Sequence, residues 1–343
     1  MSHSPTDRGI RILGAADVQS TLEGAEADIL SAVQQAYISH YEARTSLPHS
    51  SFLRFPQNDR NRIIALPGYL GEPFNVAGLK WIASFPGNTS HGLARASALM
   101  VLNDLSTGFP TAVLEGATIS AKRTAASAAL AARVLHPDPH PTKVALVGAG
   151  RSNAEVLAFL RFVFPSLTNV YVHDADRECA FRFVRDHADS AGIECYVLER
   201  AEDALREAAL VSFATTAPAP YLADDGAWAA GATVLNISLR DLHPGTILRS
   251  VNVTDDIEHA CRERTSLHLA EIQEGHRRFV DGTLERVLLR AEPYRSLDDA
   301  RPLIFTPFGL GVLDLALAAL VLQRAEASAV GSRVPGFSVP VTS

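Results

Sequence analysis

The chain has 343 residues, 47% of them apolar and 20% charged, and a formal net charge of −7. That length suits about two domains with sizeable cores, and the acidic balance excludes the basic face that a nucleic-acid partner requires. Three scattered cysteines, Cys179, Cys195 and Cys261, form neither a disulfide framework nor a zinc cluster and fit a reducing cytoplasm. The first residues carry no apolar signal core, and the longest apolar run is short and contains Asp314, so no membrane association is expected.

Residues 24–43 show helical spacing, with Ile29, Val33, Ala36 and Tyr37 on one face. Short strand-like runs follow at residues 50–55, 62–70, 77–85, 96–104 and 110–116. Turn residues punctuate them at Pro67-Gly68, Pro86-Gly87-Asn88 and Thr107-Gly108, which predicts a mostly antiparallel sheet. Residues 120–135 are alanine-rich and read as a helix. The proline-rich segment 136–143 reads as a solvated boundary, and its His136 and His140 as linker residues rather than metal ligands.

Beyond it the rhythm becomes strand, helix, strand. Strands are expected at 143–150, 169–176, 194–199, 209–216 and 232–239. Their low alternation implies burial on both faces, hence a parallel sheet. The apolar helix 311–327 falls after the last of these strands and is expected to return to the first domain.

"KVALVGAGRSNAE" joins an apolar strand to a helix through Gly148 and Gly150. Glycines there permit a tight turn and close approach to a pyrophosphate, and the helix start, with Arg151, Ser152 and Asn153, supplies donors and positive potential. Asn153 stands where the fingerprint wants a third small residue; its amide is expected to meet a phosphate or cap the turn. Asp174 ends the next strand, where a carboxylate bonds the ribose hydroxyls of NAD and repels the 2′-phosphate of NADP.

The blocks "AGLKWIASFPGN", "LNDLSTGFPTAVLEGATISAKRTAASAALAA", "VGAGRSNAE", "LNISLRDL" and "FGLGVLDLALAALV" resemble, in order, the ornithine cyclodeaminase/mu-crystallin family. "LPHSSFLRFP", "IIALPGYLG" and "LKWIASFPGN" resemble most the dehydrogenases of 2,3-diaminopropionate biosynthesis. The resemblance implies an α/β protein: a Rossmann NAD-binding domain at 129–306, plus a mostly antiparallel α+β substrate-binding and dimerisation domain at 1–128. The C-terminal helix, within 307–330, joins the latter. It also implies a homodimer acting on a small amino-acid-derived substrate. The implied reaction is NAD-dependent oxidative cleavage of N-(2-amino-2-carboxyethyl)-L-glutamate to 2-oxoglutarate, L-2,3-diaminopropionate and NADH, feeding siderophores or peptide antibiotics. Ornithine cyclodeaminase, ketimine reductase or amino-acid dehydrogenase, and a mu-crystallin-like NADPH-dependent binding protein are the alternatives.

By the same resemblance Lys80 and Asp241 are catalytic and Arg123 holds a substrate carboxylate, a role that suits the guanidinium fork. Thr124, Thr215 and Ser238 join the cofactor residues; for Thr124, a helix cap is the other reading. The sequence departs from the family where many members place a basic residue after a proline: here Ser50 stands in that position. Arg54, with Ser50 and Ser51, is expected to take over carboxylate binding.

Overall fold

A computed structural model describes residues 9–188, 192–223, 228–290, 294, 296 and 299–337. The chain forms two compact units, residues 1–123 with 310–343 and residues 124–309. The division lies between Arg123 and Thr124, inside a helix, rather than in the proline-rich segment.

The first unit begins with β1 (Ile10–Leu13), α1 (Ala15–Leu22) and α2 (Glu26–Tyr41). Ile29, Val33, Ala36 and Tyr37 of α2 are all 0% exposed, as the spacing requires; each large apolar side chain so buried contributes about 1.5–3 kcal/mol. Then come β2 (Thr45–Ser46), β3 (Ser51–Phe55), β4 (Asn58–Leu70), β5 (Val76–Ser84), β6 (Ala96–Asn103) and β7 (Pro110–Glu115). They lie in the order β1-β7-β6-β5-β4-β2, with β3 also on β4. The β1–β7 pair is parallel and the others are antiparallel.

Pro67-Gly68 does not break the chain as the sequence suggests; it lies inside β4. Proline cannot donate to a ladder, and Pro67 falls beyond the β3 pairing, which stops at Ala65, and before the β2 pairing at Tyr69. The helix expected from residue 120 also starts earlier, as α3 (Gly116–Leu135). The Glu115 carboxylate accepts the Ala117 and Thr118 N–H groups and so caps the first turn.

In the second unit the chain runs β8 (Lys143–Val147), α4 (Arg151–Val163), β9 (Asn169–His173), α5 (Arg177–Ala188), β10 (Glu194–Val197), α6 (Ala201–Glu207) and β11 (Leu210–Phe213). It continues through β12 (Thr233–Asn236), α7 (Pro244–Leu248), β13 (Val251–Thr254), α8 (Ile257–Ala260), α9 (Ser266–Glu274), β14 (Val280–Thr283), α10 (Leu284–Arg290) and β15 (Leu303–Thr306). The strands form one parallel sheet in the order β10-β9-β8-β11-β12-β15-β13-β14. Every position of β11, β12, β13 and β15 is buried, the pattern of strands covered on both faces. The order reverses at β8, so the carboxyl ends of β8, β9 and β11 mark the switch point where such sheets take their ligands. His136 is not in a solvated linker: it is buried, with its Nδ1 3.0 Å from Thr233 Oγ1, while His140 is exposed.

The chain then returns to the first unit as α11 (Gly311–Ala327), packed on α2, β4 and β5, and β16 (Ser332–Val334), antiparallel to β1. Gly78 of β5 lies in this packing: a Cβ there would stand 2.2 Å from the Val101 carbonyl oxygen and 3.1 Å from Leu315 of α11.

Candidate active site

Each unit gathers a set of the residues singled out in the sequence. In the first unit, strand alternation turns Lys80 inward at 3% exposure while its neighbour Trp81 is 41% exposed. Arg123 projects from α3, three residues after Ser120 and on the same helix face. Between the two cations stands Asp314 of α11, fully buried. Its Oδ2 is 2.6 Å from Lys80 Nζ and its Oδ1 is 3.2 Å from Arg123 Nε. Ser120 Oγ accepts from Lys80 Nζ at 3.3 Å and from Arg123 Nη2 at 3.5 Å.

Two cations around one anion leave a net positive charge. Burial lowers Lys80 to about 8, against the pull of Asp314 and with the push of Arg123. Burial acts to raise Asp314, but Arg123 and Lys80 together hold it below its ordinary value. A cluster of this kind binds one carboxylate, and its lysine can exchange a proton near neutral pH.

Arg54 is exposed in β3, its guanidinium 5.3 Å from the Phe52 ring centroid. The register Arg54↔Arg62↔Ser84 places it on the Lys80 face of the sheet, because even positions of β5 share that face. Ser51 pairs with Ala65, which pairs with Trp81, so Ser51 belongs to the opposite face and is not brought together with Lys80. Ser50 is half-buried just before β3. Thr124 sits in the interior of α3, so it is not that helix's cap.

In the second unit the cofactor residues converge on the switch-point rim. Gly148 follows β8 with φ 96°, and a Cβ there would meet the Ala214 carbonyl oxygen at 2.5 Å, so only glycine fits. Gly150 is the N-cap of the 13-residue α4, and a Cβ built on it would meet nothing within 4 Å, leaving the helix start open to an anion. Arg151 is exposed at the head of α4 and Ser152 is half-buried beside it. Asp174, past the end of β9, accepts the Ala149 N–H at 2.7 Å, which ties the acid to the glycine turn.

Of the two roles expected of the Asn153 amide, meeting a phosphate or capping the turn, its bonds match the second. It is 0% exposed, and its Nδ2 donates to the Val147 and Gly148 carbonyls at 3.0 and 2.6 Å. Its Oδ1 accepts from Ser212 Oγ at 2.7 Å. The side chain therefore staples the turn to β11 from inside, which is how a residue larger than glycine is accommodated at this position.

Asp241 is buried after β12, and its Oδ1 accepts from Thr215 Oγ1 at 2.5 Å. The Thr215 hydroxyl thus gives its proton to the carboxylate, and it accepts the Ala217 N–H at 3.1 Å. Burial pushes the Asp241 carboxyl up, against the hydroxyls of Ser238, Thr215 and Tyr221. Among the described residues, Asp241 Oδ2, Ser238 Oγ and Asn236 Oδ1 are buried without a hydrogen-bond partner. Three orphaned polar atoms at and just beyond the carboxyl end of β12 mark a place where a ligand or water completes the bonding. The open helix start, the glycine that tolerates no Cβ, the strand-end acid and these atoms together fit a dinucleotide with a reacting end near Asp241.

Four residues with structural or chemical weight escaped the sequence reading: Asp314, Ser120, Tyr221 and Asp255. Asp314 had a usable signal, since an acid within the apolar run of a buried helix needs a cationic partner. Asp255, fully buried, accepts the Phe308 and Gly309 N–H groups at 2.9 and 2.7 Å and pins the segment that ends the second unit.

Known proteins resemble this chain over nearly its whole length. The N-((2S)-2-amino-2-carboxyethyl)-L-glutamate dehydrogenase of Staphylococcus aureus is 27% identical over 95% of this chain and 98% of its own. The alanine dehydrogenase of Archaeoglobus fulgidus is 29% identical over 96% and 99%. A solved archaeal alanine dehydrogenase, a dimer with bound NAD, superposes with a TM-score of 0.85 at 26% identity, covering 96% of this chain and 100% of that one. Residues 11–329 match the model of the ornithine cyclodeaminase/mu-crystallin family, and the chain belongs to that family.

Proposed function

We propose that the protein is an NAD-dependent dehydrogenase that cleaves N-(2-amino-2-carboxyethyl)-L-glutamate to 2-oxoglutarate and L-2,3-diaminopropionate, supplying siderophore or peptide-antibiotic assembly in the cytoplasm. The observation that carries the reading is the cationic character of the Lys80 face. Lys80 and Arg123 exceed Asp314 by one charge, and Arg54 lies on the same face of the sheet. A substrate with three carboxylates matches that face; the distal ammonium of ornithine does not. The cofactor is NAD, which the solved alanine dehydrogenase also holds, and Asp174 opposes the extra phosphate of NADP.

In this reaction Arg123 and Lys80 hold the glutamate α-carboxylate, which fixes the adjacent C–H bond. The Gly148–Gly150 turn and Asp174 would hold NAD, which would supply a hydride acceptor for that C–H bond, so that the substrate carbon would become a C=N cation. Asp241, made more basic by burial, takes a proton from the water that attacks this carbon. Lys80, near 8, can return a proton to the departing amine as the carbinolamine collapses. The balance is one substrate, one NAD+ and one water giving the oxo acid, the diamino acid, NADH and one proton.

The homodimer is proposed on the sheet face opposite Lys80. Leu53, Trp81 and Leu99 are 47%, 41% and 42% exposed there; the register sets Trp81 directly opposite Leu99 and puts Leu53 on the same face. A monomeric mass by solution scattering refutes it. For the activity, purified protein is incubated with NAD and N-(2-amino-2-carboxyethyl)-L-glutamate, and NADH is followed by absorbance with 2-oxoglutarate assayed chemically. Stoichiometric NADH and 2-oxoglutarate are expected. Proline and ammonia from ornithine without NADH accumulation would overturn the reading.

A further inference from the structure

Arg95, between the turn after β5 and the start of β6, is half-buried. Its Nη1 donates to Ser84 Oγ at 3.0 Å. Among the described residues this neutral hydroxyl is its hydrogen-bond partner. Burial pulls the guanidinium below its ordinary value, the mark of a cation removed from water. Ser84 is 8% exposed and lies on the same face of β5 as Lys80. Four residues of strand separate them, roughly 13 Å between Cα atoms.

Ser84 is directly opposite Arg62, and Arg62 directly opposite Arg54. Side chains of directly opposed residues share a face, so Arg62 and Arg54 lie on the Ser84 face; Ala96 of β6 stands opposite Ser84, and Arg95 joins the row only through its bond to Ser84 Oγ. A row of this kind is suited to an anion, and the guanidinium fork matches a carboxylate.

We infer that Arg95, backed by Arg62 and Arg54, forms a second carboxylate subsite on the Lys80 face, so that the ligand is an amino or oxo acid with a second, distal carboxylate. The inference rests on the reading that Lys80 and Arg123 take the carboxylate next to the reacting carbon. It deepens that reading by assigning the far end of the ligand. Alanine has no distal group, and ornithine presents an ammonium that the arginine row repels.

The test compares 2-oxoglutarate with 2-oxopentanoate, which has the same carbon chain without the distal carboxylate. Each is titrated calorimetrically into the full-length protein saturated with NADH. The wild type should bind 2-oxoglutarate tighter by roughly tenfold or more, as a charge-assisted bidentate contact implies. Arg95→Gln should lose that preference while its affinity for 2-oxopentanoate stays unchanged, and Arg95→Lys should keep part of it. Equal affinities in the wild type overturn the inference, whether or not a variant folds, and so does a preference that survives in folded Arg95→Gln. The two readings fail separately. If N-(2-amino-2-carboxyethyl)-L-glutamate yields no NADH but the Arg95-dependent preference is found, the proposed reaction falls and the subsite stands. NADH formation without the preference has the reverse meaning.

Discussion

Replacing Asp314 with asparagine tests the core of the first unit's site. The substitution keeps the side chain's shape and one acceptor but removes the counter-charge of two buried cations, 2.6 Å from Lys80 Nζ and 3.2 Å from Arg123 Nε. Breaking a buried ion pair from one side costs about 3–5 kcal/mol. The retained shape and acceptor put Asp314→Asn near the lower end, about 3 kcal/mol, readable by urea unfolding. The same change alters titration. Burial and Arg123 both lower Lys80, and Asp314 is what raises it to about 8. Without that carboxylate Lys80 releases its proton at lower pH, so the limb of the pH–rate profile due to Lys80 moves down from about 8. Asp314→Glu, which restores the charge, should bring the limb back toward its original position. An unchanged limb in Asp314→Asn, with stability within about 0.5 kcal/mol of wild type as for a surface change, refutes the reasoning.

Lys80 also makes stability depend on pH. Its folded value of about 8 lies below the 10.5 of the free side chain, so between those values the unfolded chain binds more protons. The contribution of this group therefore rises with pH across that window, by about 3 kcal/mol in all. Wild type minus Lys80→Met, compared by denaturant unfolding at several pH values, should show this slope, and a flat difference contradicts it. Asp241→Asn should lower kcat by about 10²-fold or more through loss of the base, with NAD affinity little changed, measured by initial NADH rates and nucleotide titration. Gly148→Ala places a Cβ 2.5 Å from the Ala214 carbonyl oxygen at a φ of 96°. It should cost about 1–3 kcal/mol and weaken NAD binding, and a wild-type melting temperature with wild-type affinity would contradict the turn geometry.

The second unit was the more legible in the sequence. Its buried strands announce themselves as unbroken apolar runs, and the glycine turn and Asp174 follow local rules of conformation and charge. The strands β13, β14 and β15 were not read in the sequence, and β15 enters the sheet between β12 and β13 only through pairing across the chain. Pro67-Gly68 misled because local turn chemistry carries no information about which stretch of a strand lacks an outer neighbour.

The sequence by itself determined that Lys80 and Trp81 take opposite faces, the helix carrying Arg123 and the strand–turn–helix that suits a dinucleotide, since each depends on residues close together in the chain. Tertiary structure decided how those groups are charged and what each one touches. Asp314 lies 234 residues from Lys80 and 191 from Arg123, yet it opposes the burial that lowers the first and bonds the second. Asn153 turned inward because the Val147 and Gly148 carbonyls and the Ser212 hydroxyl needed its amide more than a phosphate did. Ser51 and Arg54, three residues apart, take opposite faces by strand alternation, and the pairing through β4 decided which of them shares the Lys80 face. Buried ions and buried amides are governed by whatever folding brings within hydrogen-bond reach, and distance along the chain does not encode that.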